Sequence, residues 1–229
     1  DLIELGMPFT DPMADGPAVQ AEGLRAMKEG ATMRTTLQLV RDFRATDTET
    51  PIVLMGYANP VFAYGAEAFG KDAAAAGVDG MILVDIPPEE ADEFAPALKA
   101  AGIDIIRLST PTTSDARLPA VLHGASGFLY YVSITGVTGT KDFDAAEVER
   151  EVTRIKRQTA LPVGVGFGIK TAEHAAAIAR FADAAVVGSA IVARAGQFVN
   201  AAGEVSPGCA ADVLGFVKEL SAGVRTARV

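Results

Sequence analysis

The chain has 229 residues, 49% of them hydrophobic, and a formal charge of -9. That length and apolar share suit one large buried core, while the acidic balance, with no Lys/Arg cluster, excludes non-specific nucleic-acid binding, which rests on clustered cations. The single cysteine, Cys209, excludes an intramolecular disulfide framework and a CxxC metal site, and no apolar run reaches the roughly 18 residues of a membrane span; a cytoplasmic location is the expectation.

The first element is a strand at 2–6, "LIELG", which sets Glu4 between Ile3 and Leu5. Either face of such a strand is a costly place for a charge. Burial disfavours the carboxylate and moves it toward the range where one group both gives and takes a proton, although a structural ion pair would also account for it. The loop that follows is stiffened by Pro8, Pro12, Gly16 and Pro17 and carries Asp11 and Asp15, as turn or helix caps or as a second acid converging on a substrate.

Helical periodicity then covers 17–44 with a break near Gly30, followed by a strand at 51–57 ending in Tyr57, a helix at 66–76 and a strand at 80–86. A helix at 89–101, a strand at 104–109 and a strand at 127–133 containing Tyr130 come next, then a threonine–glycine alternation at 133–142 suited to a lid. A helix at 145–158, a strand at 161–167, a helix at 172–181 capped by Thr171, a strand at 183–189, a short helix from Ala190 and a last helix at 209–221 complete the chain.

These strands are apolar on both faces, as parallel strands under a helical layer are. Polar and glycine-rich residues follow nearly every strand, which favours a (β/α)8 barrel over an open doubly wound sheet with one switch point. Seven strands are visible where a barrel needs about eight. The expectation is therefore one barrel domain over residues 1–229 whose first βα unit precedes Asp1. Gly164, Gly166 and Gly168 in "GVGFGIKT", and Gly188 and Ser189 in "VVGSAIV", turn two late strands into helices. Such turns expose backbone amides and suit a phosphate; the GxGxxG spacing of a dinucleotide site is absent. The same glycines could also serve the turns alone.

The run "IELGMPFTDPMADG" resembles the signature of the tryptophan synthase alpha subunit family, and "MGYANPVF", "DIPPEE", "SITGVTG", "GFGI" and "GSAIV" follow in that family's order. The resemblance covers essentially the whole chain. It implies a carbon–carbon lyase that splits indole-3-glycerol phosphate into indole and glyceraldehyde 3-phosphate in tryptophan biosynthesis. It gives Glu4 the principal acid/base role and Asp15 a hydrogen bond to the indole N–H. It further implies Tyr57 and Tyr130 beside the substrate, phosphate contacts around Gly139, Gly166, Phe167, Gly188 and Ser189, and Thr138 orienting Asp15; Met55, Ile82 and Leu108 would wall the indole. Ile134 stands where some members carry arginine, so an ionic latch there is not implied. The resemblance also implies a beta-subunit partner in an α2β2 assembly, met through loops 8–15 and 59–62, with pyridoxal phosphate in that partner and no cofactor in this chain. His123 and His174 lie outside these motifs, and no metal is expected. A regulatory subunit without catalysis and a free-standing lyase remain as rival readings.

Overall fold

The computed structural model describes residues 1–133, 144–166, 168–200 and 202–227. The chain divides into two compact units, the first made of Asp1–Ala14, Gly23–Leu108 and Pro119–Phe128, the second of Asp15–Glu22, Ser109–Leu118 and Leu129–Val229. In chain order the elements are β1 (Ile3–Gly6), α1 (Pro17–Lys28), α2 (Met33–Arg44), β2 (Ile52–Gly56), α3 (Ala58–Tyr64), α4 (Ala66–Ala76) and β3 (Gly80–Leu83). A 3-10 segment (Pro88–Glu93), α5 (Ala95–Ala100), β4 (Asp104–Ile105), β5 (Arg107–Ser109) and α6 (Leu118–Leu122) follow. The remainder is β6 (Leu129–Val132), α7 (Ala145–Lys156), β7 (Val163–Gly166), α8 (Ala172–Ala179), β8 (Ala184–Val186), α9 (Ser189–Gly196) and α10 (Cys209–Thr226).

Every strand expected from the sequence is present, but the stretch 104–109 is divided into β4 and β5. At the division the Ile105 N–H donates to the Ser126 hydroxyl at 2.9 Å, a side chain in place of a neighbouring strand. The helix expected at 89–101 is likewise divided, because Pro96 lies in the first turn of α5 and has no N–H to continue a helix from the preceding turn. Two short helices, α3 and α6, escape the periodicity: α3 spans seven residues and carries Pro60 in its first turn, where proline is tolerated.

In the first unit β1, β2, β3 and β4 are parallel, in that order, with Leu5 in register with Leu54, Leu54 with Met81 and Met81 with Ile105. These residues form one face. Ile52, Leu54, Met81 and Ile105 join Leu37 and Val40 of α2, Phe69 and Ala73 of α4 and Leu98 of α5 in the core, with Leu5 packed at its edge. Each fully buried side chain of this kind contributes about 1.5–3 kcal/mol of transfer free energy. Strand alternation sends Glu4, Val53, Met55 and Ile82 to the opposite face, away from the helices.

In the second unit β6, β7 and β8 are parallel, and Tyr131 pairs with Val165 and Val165 with Ala185 on one face. The other face carries Tyr130 against Gly164, and Val132 against Gly166. A shared device closes the start of a strand in each unit. Asp79 accepts the Ile52 N–H at 2.7 Å and pairs with Arg44 of α2 at 2.6 Å. Asp183 accepts the Val163 N–H at 2.8 Å and pairs with Lys156 of α7 at 2.8 Å.

Candidate active site

Glu4 is half-buried on β1, in register with Val53 of β2, so it projects from the face that also bears Met55 and Ile82. Adjacent residues of the strand thus have two destinations: Leu5 turns to the helical core, and Glu4 is left on a face where Val53 and Ile82 are almost wholly buried.

The chain beyond β1 is held closely. The Met7 N–H donates to the Met55 carbonyl at 2.8 Å, prolonging the ladder past Gly6, and Phe9 lies against the Tyr57 ring with centroids 5.2 Å apart. Thr10 donates a hydroxyl hydrogen bond to Asp11, and the Met13 N–H closes a turn on the Asp11 carbonyl at 2.9 Å. Tyr57 is only 2% exposed, and its hydroxyl oxygen accepts the Ala14 N–H at 3.0 Å. Tyr57 itself precedes α3, whose first amide, Ala58 N–H, donates to the Asp85 carboxylate at 2.9 Å. Asp85 belongs to the "DIPPEE" motif, in which the sequence alone gives it no role; it stands two residues beyond the end of β3.

Asp15 is half-buried ahead of α1, and the Gln20 side-chain amide donates to its carbonyl at 2.8 Å, fixing the residue to the first turn of that helix. On the second unit's sheet, Tyr130 is 4% exposed, and its hydroxyl occupies the space above Gly166: a Cβ there would lie 2.0 Å from that oxygen. Gly166 is therefore required by close approach. Two residues on, Gly168 holds φ of 80°, a left-handed conformation suited to glycine, before Thr171 caps α8 through the His174 N–H at 3.3 Å. Gly188 and Ser189 are exposed at the start of α9, where Gly188 provides no side-chain cap. The first amides of a helix have no acceptor within it, so this end suits an anion. Thr138, Gly139 and Phe167, together with Ile134, lie outside the described residues.

Met13 is 81% and Phe62 68% exposed, and both lie on the two loops expected to meet a partner. Among the described residues no group of His, Cys, Asp and Glu could hold a metal ion, and no helix is long and apolar enough to cross a membrane.

The family model for the tryptophan synthase alpha chain matches residues 1–221. A tryptophan synthase alpha chain from Acidiphilium cryptum (strain JF-5) is 54% identical over 228 residues, which is 100% of this chain and 83% of the relative. The crystal structure of tryptophan synthase subunit alpha from Legionella pneumophila str. Paris superposes with a TM-score of 0.88 at 39% identity, covering 99% of this chain and 82% of that one. A structure describing mutual activation of the tryptophan synthase α2β2 complex from Pyrococcus furiosus gives 0.86 at 36% identity, over 96% and 86% of the two chains. These likenesses give the fold class as α/β of the (β/α)8-barrel type. On matches that run through both units, the chain belongs to the tryptophan synthase alpha chain family.

Proposed function

We propose that this chain is a cytoplasmic lyase that cleaves indole-3-glycerol phosphate to indole and glyceraldehyde 3-phosphate in tryptophan biosynthesis. The observation that carries this reading is the placement of Glu4 on the strand face opposite the helical core, within the family signature. A proton delivered to indole C3 turns the ring into a leaving group. A base removes the proton of the glycerol 3'-hydroxyl, the carbon–carbon bond breaks, its electron pair returns to the ring, and the hydroxyl carbon becomes the aldehyde. Glu4 performs the proton transfers. Asp15 accepts the indole N–H hydrogen bond and stabilises the positive charge that develops as C3 is protonated.

Tyr57 and Tyr130 bound the indole, and Met55 and Ile82 wall it from Glu4's own face. The phosphate is held by amides around Gly139, Gly166, Phe167, Gly188 and Ser189, an assignment supported by the open start of α9 and the glycine-bearing end of β7. Thr138 orients Asp15. No cofactor takes part in this chain's reaction.

The same reading gives the chain a beta-subunit partner in an α2β2 assembly, with pyridoxal phosphate belonging to that partner and indole passing to it. Exposed Met13 and Phe62 support loops 8–15 and 59–62 as the docking surface, since large apolar side chains in water are stabilised when a partner covers them. Single-turnover indole release tests the reading: Glu4→Gln, with folding and phosphate-ligand binding matched to wild type, should lose about 100-fold or more in rate. Equal rates in both proteins would remove Glu4 from the chemistry. Absence of turnover in wild type, even with a beta subunit present, would favour the regulatory reading.

A further inference from the structure

Three successive strand ends in the first unit are joined by two hydrogen bonds from backbone amides to side chains. The Asp85 carboxylate beyond β3 accepts the Ala58 N–H beyond β2 at 2.9 Å, and the hydroxyl of the adjoining Tyr57 accepts the Ala14 N–H beyond β1 at 3.0 Å. Ala14 is the residue directly before Asp15. The Tyr57 ring is confined by its 2% exposure and by Phe9, so its hydroxyl position is set by where its own backbone stands, and that backbone is anchored one peptide away by Asp85.

We infer that Asp85 and Tyr57 form a positioning relay that fixes the peptide leading into Asp15, so that Asp85 governs the rate of the reaction without touching the substrate. The inference rests on the lyase reading for its kinetic consequence. Its structural content is independent of that reading. A misplacement of about 1 Å at a reacting group can cost on the order of 100-fold in rate. Loss of one such tether, with the loop still folded, therefore lowers turnover more than substrate affinity.

The test uses full-length protein and two readouts, the hydrogen exchange of the Ala14 amide and the kcat and KM of indole release. Asp85→Ala and Tyr57→Phe should each speed Ala14 exchange and lower kcat by about tenfold, with KM within about twofold of wild type. Asp85→Asn, which keeps an acceptor oxygen, should restore both readouts to near wild type. The double variant Tyr57→Phe/Asp85→Ala should be no worse than the worse single variant, because both remove one tether. Asp85 is exposed, so the alanine variant tests the relay without emptying a core position. Unchanged Ala14 exchange in Asp85→Ala, asparagine no better than alanine, or multiplicative losses in the double variant would each overturn the relay. Faster Ala14 exchange in a protein whose wild type releases no indole would uphold the relay and defeat the lyase reading instead.

Discussion

On the function proposed above, the two units solve the same problem, a parallel sheet with one face for packing and one for chemistry, by opposite means. In the first unit the chemical face carries a large acidic side chain, Glu4, and the loops beyond the strands are tied by side-chain acceptors, Tyr57 for Ala14 and Asp85 for Ala58. In the second unit the corresponding work falls to absent side chains: Gly166 leaves room for Tyr130, and Gly188 opens the start of α9. Proton transfer needs a titratable group held in place, whereas an anion is bound by backbone amides that a side chain would obstruct. Away from these faces the units converge, since Asp79 with Arg44 and Asp183 with Lys156 close a strand start in the same way.

The division between packing face and chemical face is most severely challenged at β1 and β2. Leu54 is fully buried on the core face, and Leu54→Ala should cost about 2–5 kcal/mol in urea unfolding. Glu4→Gln, on the other face, should cost far less stability than activity. Comparable losses of stability in both would erase the distinction.

Next in size is the glycine requirement of the second unit. Gly166→Ala should destabilise by about 1–3 kcal/mol, because the new Cβ would meet both the hydroxyl and the ring of Tyr130. Tyr130→Phe should relieve this only in part, since the ring carbons at 2.5 and 2.7 Å remain. Tyr130→Leu should relieve more of it. If Gly166→Ala proved neutral in thermal unfolding, that face would not be shaped by the tyrosine.

The packing face of the second unit can be read by pH. Burial, then the nearby Glu151 and Glu147 carboxylates, push the Tyr131 phenol up to about 12 from 10.0. The unfolded chain therefore releases this proton first as pH rises. The stability contributed by the retained proton is complete below pH 10 and is lost between there and about 12, by roughly 3 kcal/mol at most. Tyr131→Phe should flatten that part of the stability–pH curve, and an unchanged slope would place the effect elsewhere.

The smallest effects separate the two strand-start aspartates. Asp79→Ala should cost about 1–2 kcal/mol and Asp183→Ala about 1 kcal/mol or less. The difference follows from the cations: the Arg44 side chain is 15% exposed and also donates to the carbonyls of Gly77, Asp47 and Thr50, whereas Lys156 is 36% exposed. Matching losses would show that the amide hydrogen bond, common to both, carries the stability.

Much of this was written locally. The apolar β-branched runs, the break before Met33, the Thr171 cap and the glycine turns are all properties of a few adjacent residues, because strand alternation, helical period and cap chemistry act over one or two turns of chain. The signature around Glu4 and Asp15 also identified the chemistry to look for. Other features depend on residues far apart in sequence. β4 and β5 join different sheets, the Ser126 hydroxyl meets the Ile105 amide, and Glu4 leaves the helical side in register with Val53 of β2. Tyr130 makes Gly166 obligatory, and Asp85 reaches Ala58 across 27 positions. The sequence by itself determined most of the strands and the longer helices and caps, and, through its signature, the family to which the chain belongs. Only the tertiary structure decided which face each side chain serves and which amide each acceptor holds, because a hydrogen bond or a close contact between distant segments has no periodicity to announce it.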